Sequence, residues 1–289
     1  MKIGFIGTGL MGFPMAKNLL QKKLYLKVFS RTLEKAKPLE EFGAIIANSL
    51  SEAIEGADIV ITMLTDDLAV ENVLGDKDLL SNLKPSSTVI DMSSIKPKTA
   101  IKYGNLLKEK KNINFLDAPV SGGTIGATEA SLAIMVGGDQ KVFDSAYNVL
   151  NIMGNPTLVG SIGSGQVAKL ANQIIVGVTI GAVAEAVTLC EKAGIDANKF
   201  IEALKGGFAD GKILQNHGKR MIDKDFSPRG KVSTHLKDMK NILECANNYN
   251  IDLPISKLIE KMFNSLVKNG NQNDDHSALY KELERMNKK

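Results

Sequence analysis

The chain has 289 residues, of which 44% are hydrophobic and 24% are charged, and its net charge is +4. This is the composition of an ordinary globular protein that is long enough for two domains. The basic residues are spread along the chain without an arginine-rich run or a basic patch interleaved with aromatics, which argues against a nucleic-acid partner. The three histidines stand far apart in the sequence without metal-ligand spacing, so we expect no metal site.

The first element is an apolar strand, Ile3–Ile6, that leads directly into a glycine-rich turn. Gly7, Gly9 and Gly12 have the G-x-G-x-x-G spacing, and a helical pattern follows them. In this arrangement the first glycine permits a tight turn, the second lets the backbone approach a pyrophosphate, and the third lets the helix pack closely on the strand. We therefore predict a dinucleotide-binding loop made of Gly7, Thr8, Gly9, Leu10, Met11 and Gly12.

The same apolar stretch, preceded by Lys2, is also compatible with a secretory signal. The glycines, Pro14 and the lack of a small-residue cleavage site favour a nucleotide-binding loop. Cys190 and Cys245 form no C-x-x-C motif or disulfide framework, and we interpret both as buried thiols. These features together predict a cytoplasmic protein.

Short apolar strands alternate with helical patterns through the first half of the chain. This alternation predicts an α/β fold with a doubly wound parallel sheet of the Rossmann type. The predicted helices include Thr32–Phe42, Lys98–Lys111 and Gln140–Met153. The predicted strands are Ile3–Ile6, Leu24–Phe29, Ile59–Met63, Thr88–Asp91, Phe115–Ala118, Leu132–Val136 and Thr157–Val159.

The strand pattern stops near Gly160, where the glycine-rich turn GSIGSGQ leads into a long helix, Gln166–Lys192. Only helical periodicity follows, which predicts an all-α C-terminal domain led by the long helix. We place a cofactor-binding Rossmann domain at residues 1–161 and an all-helical domain for substrate binding and oligomerisation at residues 162–289. The later predicted helices are Asn198–Leu204, Ile213–Ile222, His235–Tyr249, Pro254–Asn269 and Ser277–Lys288.

The long helix is almost uniformly apolar from Leu170 to Cys190, a length that could cross a membrane. Polar residues such as Glu185 interrupt the run and no second candidate span accompanies it, so we predict no membrane partner. Burial between domains or subunits explains a helix that is apolar on nearly all sides. Gly177 and Gly181 would let another helix approach closely, and we expect a homodimer or a homotetramer.

The residues that follow the second strand indicate which dinucleotide binds. NAD sites place a carboxylate there for the ribose 2′-hydroxyl, whereas NADP sites place an arginine near the 2′-phosphate. Ser30, Arg31 and Thr32 occupy this position, and no acidic residue occurs between Lys2 and Glu34. The sequence favours NADP, with NAD possible. The alternative is that Arg31 is an ordinary surface residue and Thr32 caps the following helix.

Two further segments are candidates for the chemistry. DAPVSGG, residues 117–123, follows an apolar strand, and its Ser121, Gly122 and Gly123 could form a backbone nest for a carboxylate or simply a tight loop. Lys169 lies early in the long helix with Asn172 and Gln173 on the same face. Lys169 is either a surface lysine with a partly buried stem or, with its pKa lowered by burial, a proton donor to a carbonyl oxygen.

Five ordered motifs resemble those of the β-hydroxyacid dehydrogenases over the whole chain: FIGTGLMGFPMAKNL, DMSSI, DAPVSGG, IMVGG and GSGQVAKLANQ. Within that family, KLANQ, GGFADGKILQNHG, HLKDM and DHSALY are most similar to the tartronate semialdehyde reductases. The resemblance implies a fold like that of 6-phosphogluconate dehydrogenase.

The resemblance also implies roles for individual residues. Lys169 matches the catalytic lysine, which gives a proton to the carbonyl oxygen during reduction. The residues implied to hold the substrate are Ser121, Gly122, Gly123, Asn172 and Gln173. Those implied to line the cofactor, in addition to the glycine-rich loop and Ser30 to Thr32, are Met63, Leu64, Ser94 and Lys237. Asp238 is expected to support Lys237, and Phe208 to close the substrate pocket.

This chain departs from the family pattern at three places. Gln173 stands where many members have a second asparagine, Ala130 stands where a glycine is usual, and Gly75 is the only glycine between Asp67 and Asn82. We therefore expect a differently shaped substrate loop near Ala130 and an altered conformation near Gly75.

The resulting hypothesis is an enzyme that uses NADPH to reduce a small carboxylate-bearing semialdehyde, similar to tartronate semialdehyde, to the β-hydroxy acid. Three alternatives are open at this point. They are an NAD-dependent 3-hydroxyisobutyrate dehydrogenase, a glyoxylate or succinic semialdehyde reductase, and a non-catalytic dinucleotide-binding module. The presence of Lys169 with its helix partners argues against the last.

Overall fold

The computed structural model describes residues 1–288. The chain forms two compact units, of which unit 1 is Met1–Lys169 and unit 2 begins at Leu170. The division falls inside the long helix rather than at the glycine-rich turn before it. The assignment of binding roles to residues 1–161 and 162–289 stays a prediction.

Unit 1 is built on a single sheet whose strands are β1 (Lys2–Ile6), β2 (Tyr25–Phe29), β3 (Ile45–Ile46), β4 (Ile59–Thr62), β5 (Thr88–Asp91), β6 (Asn114–Asp117), β7 (Val120–Ser121), β8 (Leu132–Gly137) and β9 (Gly154–Gly160). Their order is β3-β2-β1-β4-β5-β6-β8-β7, and β9 pairs with β8. The pairs from β3 to β6 are parallel, whereas β8 runs antiparallel to β6 and β7. All seven predicted strands are present. The two-residue strands β3 and β7 were missed because they are too short to show a period.

Helices cover both faces of this sheet, as the predicted doubly wound fold requires. Alternate residues of one strand point to opposite faces, so Phe5 belongs to one hydrophobic cluster and Ile6 to another. Both side chains are almost fully buried. The helices of unit 1 are α1 (Gly12–Gln21), α2 (Leu50–Ile54), α3 (Asp67–Leu74), α4 (Lys77–Asn82), α5 (Pro97–Lys111), α6 (Gly123–Thr128) and α7 (Gln140–Asn151).

Two local predictions in unit 1 are corrected or resolved. The predicted helix Thr32–Phe42 is wrong: two 3₁₀ segments, Leu33–Lys35 and Lys37–Phe42, take its place. Pro38 lacks the N–H that an α-helix would need at that point. Around Gly75 the chain forms α3 and α4, which are capped by the Asp66 and Asp76 carboxylates. The segment around Gly75 is therefore a pair of short helices.

The long helix, α8 (Ser164–Lys192), begins in unit 1 and continues into unit 2. The hydrophobic core of unit 2 includes Ile180, Val183 and Val187 of this helix together with Met239 and Phe263. The prediction of an all-α C-terminal domain is confirmed. The remaining helices are α9 (Ala197–Ala203), α10 (Lys219–Ile222), α11 (Val232–Asn248), α12 (Pro254–Lys268) and α13 (Leu279–Met286).

Two predicted helices of unit 2 differ in detail. The segment predicted as one α-helix, Ile213–Ile222, contains a π-helical stretch, Leu214–Gly218, ahead of α10. The helix predicted at Ser277–Lys288 begins with a 3₁₀ turn, His276–Ala278, before α13. The two changed segments contain His217 and His276, whose partly buried side chains contact each other.

The glycines of α8 are explained by contacts inside unit 2. A Cβ added to Gly177 would lie 2.6 Å from Nε2 of His235, and one added to Gly181 would lie 2.7 Å from a methyl of Ile259. The close helix approach is therefore made by α11 and α12 of the same unit. These glycines give no argument for a second subunit, and the homo-oligomer stays a prediction.

By length and composition α8 is the one helix within residues 1–288 that could cross a membrane. In its most apolar window 39% of the residues are buried within the structure. The buried ones include Ile180 and Val187, which belong to the hydrophobic core of unit 2. Core packing is thus sufficient to account for much of its apolar character.

Candidate functional site

The glycine-rich loop connects β1 to α1 as the sequence predicts. Gly7 has a φ of +101°, and a Cβ there would lie 2.3 Å from the Met63 carbonyl oxygen. A Cβ on Gly12 would lie 1.9 Å from the Gly7 carbonyl oxygen. A side chain at either position would clash with backbone, so these two glycines are required by the fold of the loop itself.

Gly9 is different because its neighbours within the protein do not require a glycine. A Cβ added there would meet nothing within 4 Å. Next to it, the hydroxyl of Thr8 is buried and has no hydrogen-bond partner among residues 1–288. Open space beside one residue and an unsatisfied hydroxyl in the next fit a loop that closes around a ligand, here a dinucleotide pyrophosphate.

The predicted 2′-phosphate residues follow β2, next to the glycine-rich loop. The Gly7 amide donates to the Phe29 carbonyl at 2.9 Å, which joins the ends of β1 and β2. Ser30 is buried, whereas Arg31 and Thr32 are exposed. The Thr32 side chain makes no capping hydrogen bond to the following 3₁₀ segment. The alternative role of Thr32 as a helix cap is therefore wrong.

The other predicted cofactor positions of unit 1 lie at the same edge, after β4 and β5. The Met63 amide donates to the Ile6 carbonyl at 2.9 Å, and the Leu64 amide donates to the Ser93 hydroxyl at 2.9 Å. Ser94 follows directly and is partly buried. Because β1, β2, β4 and β5 are parallel, their carboxyl ends meet where open α/β sheets bind ligands.

The candidate catalytic lysine contacts the candidate substrate loop. Lys169 is 8% exposed, and its Nζ donates to the Val120 carbonyl oxygen at 2.7 Å. Ser121, Gly122 and Gly123 follow immediately. Gly122 and Gly123 have φ values of +141° and +62°, and a Cβ on Gly123 would meet nothing within 4 Å. The structure thus brings an ammonium group to the start of a loop that presents its backbone to open space.

Ala130 has a backbone conformation that is more usual for glycine. Its φ is +55°, the left-handed conformation that glycine adopts readily. A Cβ in this conformation carries a steric cost. The expectation of a differently shaped substrate loop near Ala130 stays a prediction.

Sequence reasoning missed the residues that hold the start of α8. The Asp117 carboxylate accepts from the Gly163 amide at 2.7 Å and from the Gln166 amide at 2.9 Å. The Gln166 side chain accepts from the Ile95 amide at 3.0 Å and donates to the Ser93 carbonyl at 2.8 Å. These bonds hold the start of α8 against the loop after β5 and the end of β6. Lys169 lies in the following turn of the same helix. The signal was an aspartate at the end of each of two consecutive strands.

Those two aspartates are buried, and burial raises the pKa of both. The pKa of Asp91 rises to about 6 because of burial, although hydrogen bonds from Ser93 and Thr62 oppose the shift. Burial likewise raises the pKa of Asp117 to about 6 against the opposing effect of the Gly163 and Gln166 amides. We interpret them as groups that organise the loops, since Asp117 accepts hydrogen bonds through both oxygens and Asp91 accepts them through Oδ1.

In unit 2 the predicted polar residues form one hydrogen-bonded row. Asn172 donates to the Oε1 atom of Gln173 at 2.8 Å, and Gln173 donates to Oδ2 of Asp238 at 2.6 Å. The Lys237 ammonium lies 3.2 Å from Oδ1 of the same carboxylate. The predicted support of Lys237 by Asp238 therefore has a direct contact. Phe208, predicted to close the substrate pocket, is fully exposed.

The three histidines meet in space, although they are far apart in the sequence. Nε2 of His217 lies 2.8 Å from Nε2 of His276, and Nδ1 of His276 lies 3.3 Å from Nδ1 of His235. Sequence spacing was therefore a wrong guide to their positions. His217, His276 and Asp275 lie close enough to one another to surround a metal ion.

The Asp275 carboxylate already makes an ion pair and several hydrogen bonds within the protein. Its Oδ2 atom pairs with Nη1 of Arg220 at 2.7 Å and accepts from the Gly230 amide, while Oδ1 accepts from the Ser277 amide and hydroxyl. A cation would have to compete with the Arg220 guanidinium for this carboxylate. The prediction of no metal site stays a prediction.

Two family models together match nearly the whole chain. The NAD binding domain of 6-phosphogluconate dehydrogenase matches residues 2–177. The NAD-binding region of NADP-dependent 3-hydroxyisobutyrate dehydrogenase matches residues 163–283. The glycine-rich loop and the row from Asn172 to Lys237 lie within these matches.

Individual relatives agree with the family models. The chain is 41% identical over 288 residues to the 2-hydroxy-3-oxopropionate reductase of Escherichia coli, covering 99% of this chain and 98% of that protein. It is 35% identical to a probable 3-hydroxyisobutyrate dehydrogenase-like protein of Arabidopsis thaliana, covering 99% and 86%. Among solved structures, it resembles the 3-hydroxyisobutyrate dehydrogenase of Mycobacterium tuberculosis with L-serine, at 29% identity, a TM-score of 0.88 and 98% coverage of both chains.

The fold and the matches define an NAD(P)-dependent oxidoreductase that acts on hydroxy groups. The chain belongs to the β-hydroxyacid dehydrogenase family, as the ordered motifs predicted.

Proposed function

We propose that this enzyme reduces a small carboxylate-bearing semialdehyde of the tartronate semialdehyde type to the β-hydroxy acid, with NADPH as the reductant. The E. coli relative named 2-hydroxy-3-oxopropionate reductase supports this substrate class, because 41% identity extends over both units. The observation that carries the chemistry is the 2.7 Å contact between Nζ of Lys169 and the Val120 carbonyl oxygen. That contact holds the Lys169 ammonium at the start of the Ser121 to Gly123 loop, and we infer that it acts there as the proton donor.

When bound, the nicotinamide dinucleotide supplies the hydride that is added to the aldehyde carbon. The Lys169 ammonium has three N–H groups, one of which is directed to Val120, and another gives its proton to the aldehyde oxygen as the C–H bond forms. Ser121, Gly122 and Gly123 hold the substrate carboxylate through their backbone amides and one hydroxyl. In the oxidative direction the neutral Lys169 amine takes the hydroxyl proton.

The preference for NADPH rests on Arg31 after β2. Its guanidinium is exposed at the edge where the glycine-rich loop lies, and it can form a bidentate contact with a 2′-phosphate. We expect Arg31→Ala to weaken NADPH binding by about tenfold and to leave NADH binding nearly unchanged. Fluorescence titration of both reduced cofactors measures this directly. Equal weakening of the two would remove the argument for NADPH.

The substrate is tested with a panel of tartronate semialdehyde, succinic semialdehyde, glyoxylate and 3-hydroxyisobutyrate, each with the NADP and the NAD form of the cofactor. The proposal expects the highest kcat/KM for tartronate semialdehyde with NADPH. Preferred oxidation of 3-hydroxyisobutyrate with NAD would select the alternative dehydrogenase, for which the Arabidopsis relative is an argument. Saturable turnover of none of them would refute the proposed function.

We also infer the cellular location and the oligomeric state from the sequence: a cytoplasmic protein that forms a homodimer or a homotetramer. Sedimentation equilibrium of the purified chain measures the subunit number. A strict monomer at micromolar concentration would contradict the oligomer.

A further inference from the structure

In the row of polar side chains on α8 and α11, the Asp238 carboxylate determines which group donates and which accepts each hydrogen bond. Asp238 is 4% exposed, and its Oδ1 atom lies 3.2 Å from the Lys237 ammonium. An ionised carboxylate can only accept hydrogen bonds. The Gln173 amide that contacts Oδ2 at 2.6 Å must therefore present its nitrogen to Asp238.

This constraint passes to the next amide. With its nitrogen on Asp238, Gln173 turns its Oε1 atom to Asn172, which must then donate through Nδ2 at 2.8 Å. An amide that contacts only another amide could flip by half a turn and reverse donor and acceptor. Here one carboxylate determines the orientation of two successive amides. This contact does not use the Asn172 Oδ1 atom or one of its two side-chain N–H groups.

We propose that Gln173 is a positioning residue, and that Asp238 acts through it to fix which atoms Asn172 offers to the substrate. This inference rests on the proposed function and on the role that the family resemblance implies for Asn172, which is to hold the carboxylate-bearing substrate. The Gln173 amide makes hydrogen bonds within the protein at both ends, so we assign the substrate contact to Asn172. An asparagine at position 173 would be one methylene shorter, so its amide would lie farther from Asp238.

The role of Gln173 can be tested by removing the carboxylate at position 238, by adding one at position 173, and by doing both. In D238N the acceptor-only group is lost and both amides can flip, so we expect the substrate KM to rise about tenfold. In Q173E two carboxylates face each other, and the pair must hold a proton to keep its hydrogen bond. We expect the activity of Q173E to fall with rising pH on a new limb that is missing from the unmodified enzyme.

The double variant Q173E/D238N distinguishes positioning from simple structural damage. The amide introduced at position 238 can donate to the carboxylate introduced at position 173. That carboxylate can still accept from Asn172, which keeps the original orientation of Asn172. We expect this variant to recover the substrate KM to within about threefold and to lose the new pH limb. The cofactor dissociation constant, measured on the same samples, should be unchanged in Q173E, which keeps the Asp238 carboxylate beside Lys237.

The chain offers a matched control for the glutamine-to-glutamate change. Gln140 donates to the Asp144 carboxylate at 2.8 Å on the exposed surface of α7, the same pair of groups without burial. Q140E should alter neither the substrate KM nor the pH profile.

The outcomes separate the two proposals. If the unmodified enzyme turns over none of the panel, the proposed function fails, and this inference fails with it. If the enzyme is active but Q173E and D238N keep its KM and pH profile, the positioning role alone is refuted. The same holds if the double variant is as impaired as the worse single variant while its thermal unfolding matches that of the unmodified enzyme.

Discussion

Burial shifts the pKa values of two aspartates in unit 1 and of a histidine in unit 2 in opposite directions. In unit 1, Asp91 and Asp117 lie at the ends of adjacent strands, and burial raises the pKa of each to about 6. In unit 2, burial and then the neighbouring His235 lower the pKa of His276 to about 3. Burial favours the uncharged form of an acid and of a base alike, so one physical cause moves the two pKa values in opposite directions.

Asp275 is a buried carboxylate of unit 2 whose pKa is lowered rather than raised. Burial alone would raise its pKa, but the neighbouring His276 and the donors of Ser277 and Gly230 hold the pKa well below its usual range. The Arg220 guanidinium also pairs with it at 2.7 Å. The pKa of this carboxylate thus stays low in spite of its burial, because donors and a cation surround it. Asp91 lacks such a cation, and one of its oxygens has no partner among residues 1–288.

The largest expected effect on stability comes from removing this cation. Arg220→Met leaves the Asp275 carboxylate buried without its ion pair, which typically costs about 3–5 kcal/mol of unfolding free energy. Urea denaturation at pH 7.5 measures the loss. Lys102→Met is the matched control in unit 1, since Lys102 pairs with Glu71 at 3.1 Å on the exposed surface, and it should change stability little. Equal losses for the two variants would contradict the assignment.

The second prediction concerns pH and separates the two units. The unfolded chain protonates its histidines near pH 6.5, whereas folded His276 stays neutral until about pH 3. Unit 2 should therefore lose stability as the pH falls below about 6.5, by up to about 1.4 kcal/mol per pH unit for each such proton. Asp91 and Asp117 act oppositely. Their folded pKa values lie above the unfolded value, so they favour unit 1 at low pH, and this contribution is lost as the pH rises through about 6.

Native-state hydrogen exchange at pH 5.0 and 7.5 measures both responses in one sample. After correction for intrinsic exchange rates, segments of α11 and α12 should lose protection at pH 5.0, whereas β5 and β6 should lose less or gain. The side-chain nitrogen spectrum of ¹⁵N-histidine is a direct check, because the chain has only three histidines. A His276 ring that is protonated at pH 6 would refute the account of unit 2.

The smallest effect is expected at Ala130. Its φ of +55° places a Cβ in the left-handed region, so Ala130→Gly should stabilise unit 1 by about 1 kcal/mol. Ala186→Gly, in the middle of α8, should instead destabilise by about 1 kcal/mol, because glycine weakens a helix interior. The shift in urea midpoint measures both. A destabilised Ala130→Gly would mean that the Cβ makes contacts that outweigh the backbone strain.

The sequence was sufficient for the elements with strong local patterns. The glycine spacing after β1, the alternation of strands and helices, and the ordered motifs together predicted the fold, the family and the cofactor-binding edge. Pattern reasoning failed at a local helix breaker, at an irregular helical turn and at a very short strand. Pro38 lies inside a predicted helix, a π-helical stretch carries His217, and β7 is too short to have a period.

The sequence named the candidate site residues one by one, but it did not show the contacts between them. Lys169 and the Ser121 loop were each identified from the sequence, yet only the fold shows that Lys169 donates to Val120. The partnership of Gln166 with Ser93 spans 73 residues, and that of Gln173 with Asp238 spans 65. Contacts at such separations depend on how strands and helices are placed, which no local pattern encodes. The same is true of the histidine cluster.

The central claim is that Lys169 moves the proton in this reaction. The most direct test is the turnover of Lys169→Ala with tartronate semialdehyde and NADPH, with NADPH binding measured on the same preparation. We predict that kcat falls by about 10²–10⁴-fold, since general acid catalysis typically contributes this much, while the dissociation constant for NADPH changes less than about twofold. A variant that folds, binds NADPH and keeps kcat within a few-fold of the unmodified enzyme would contradict the account.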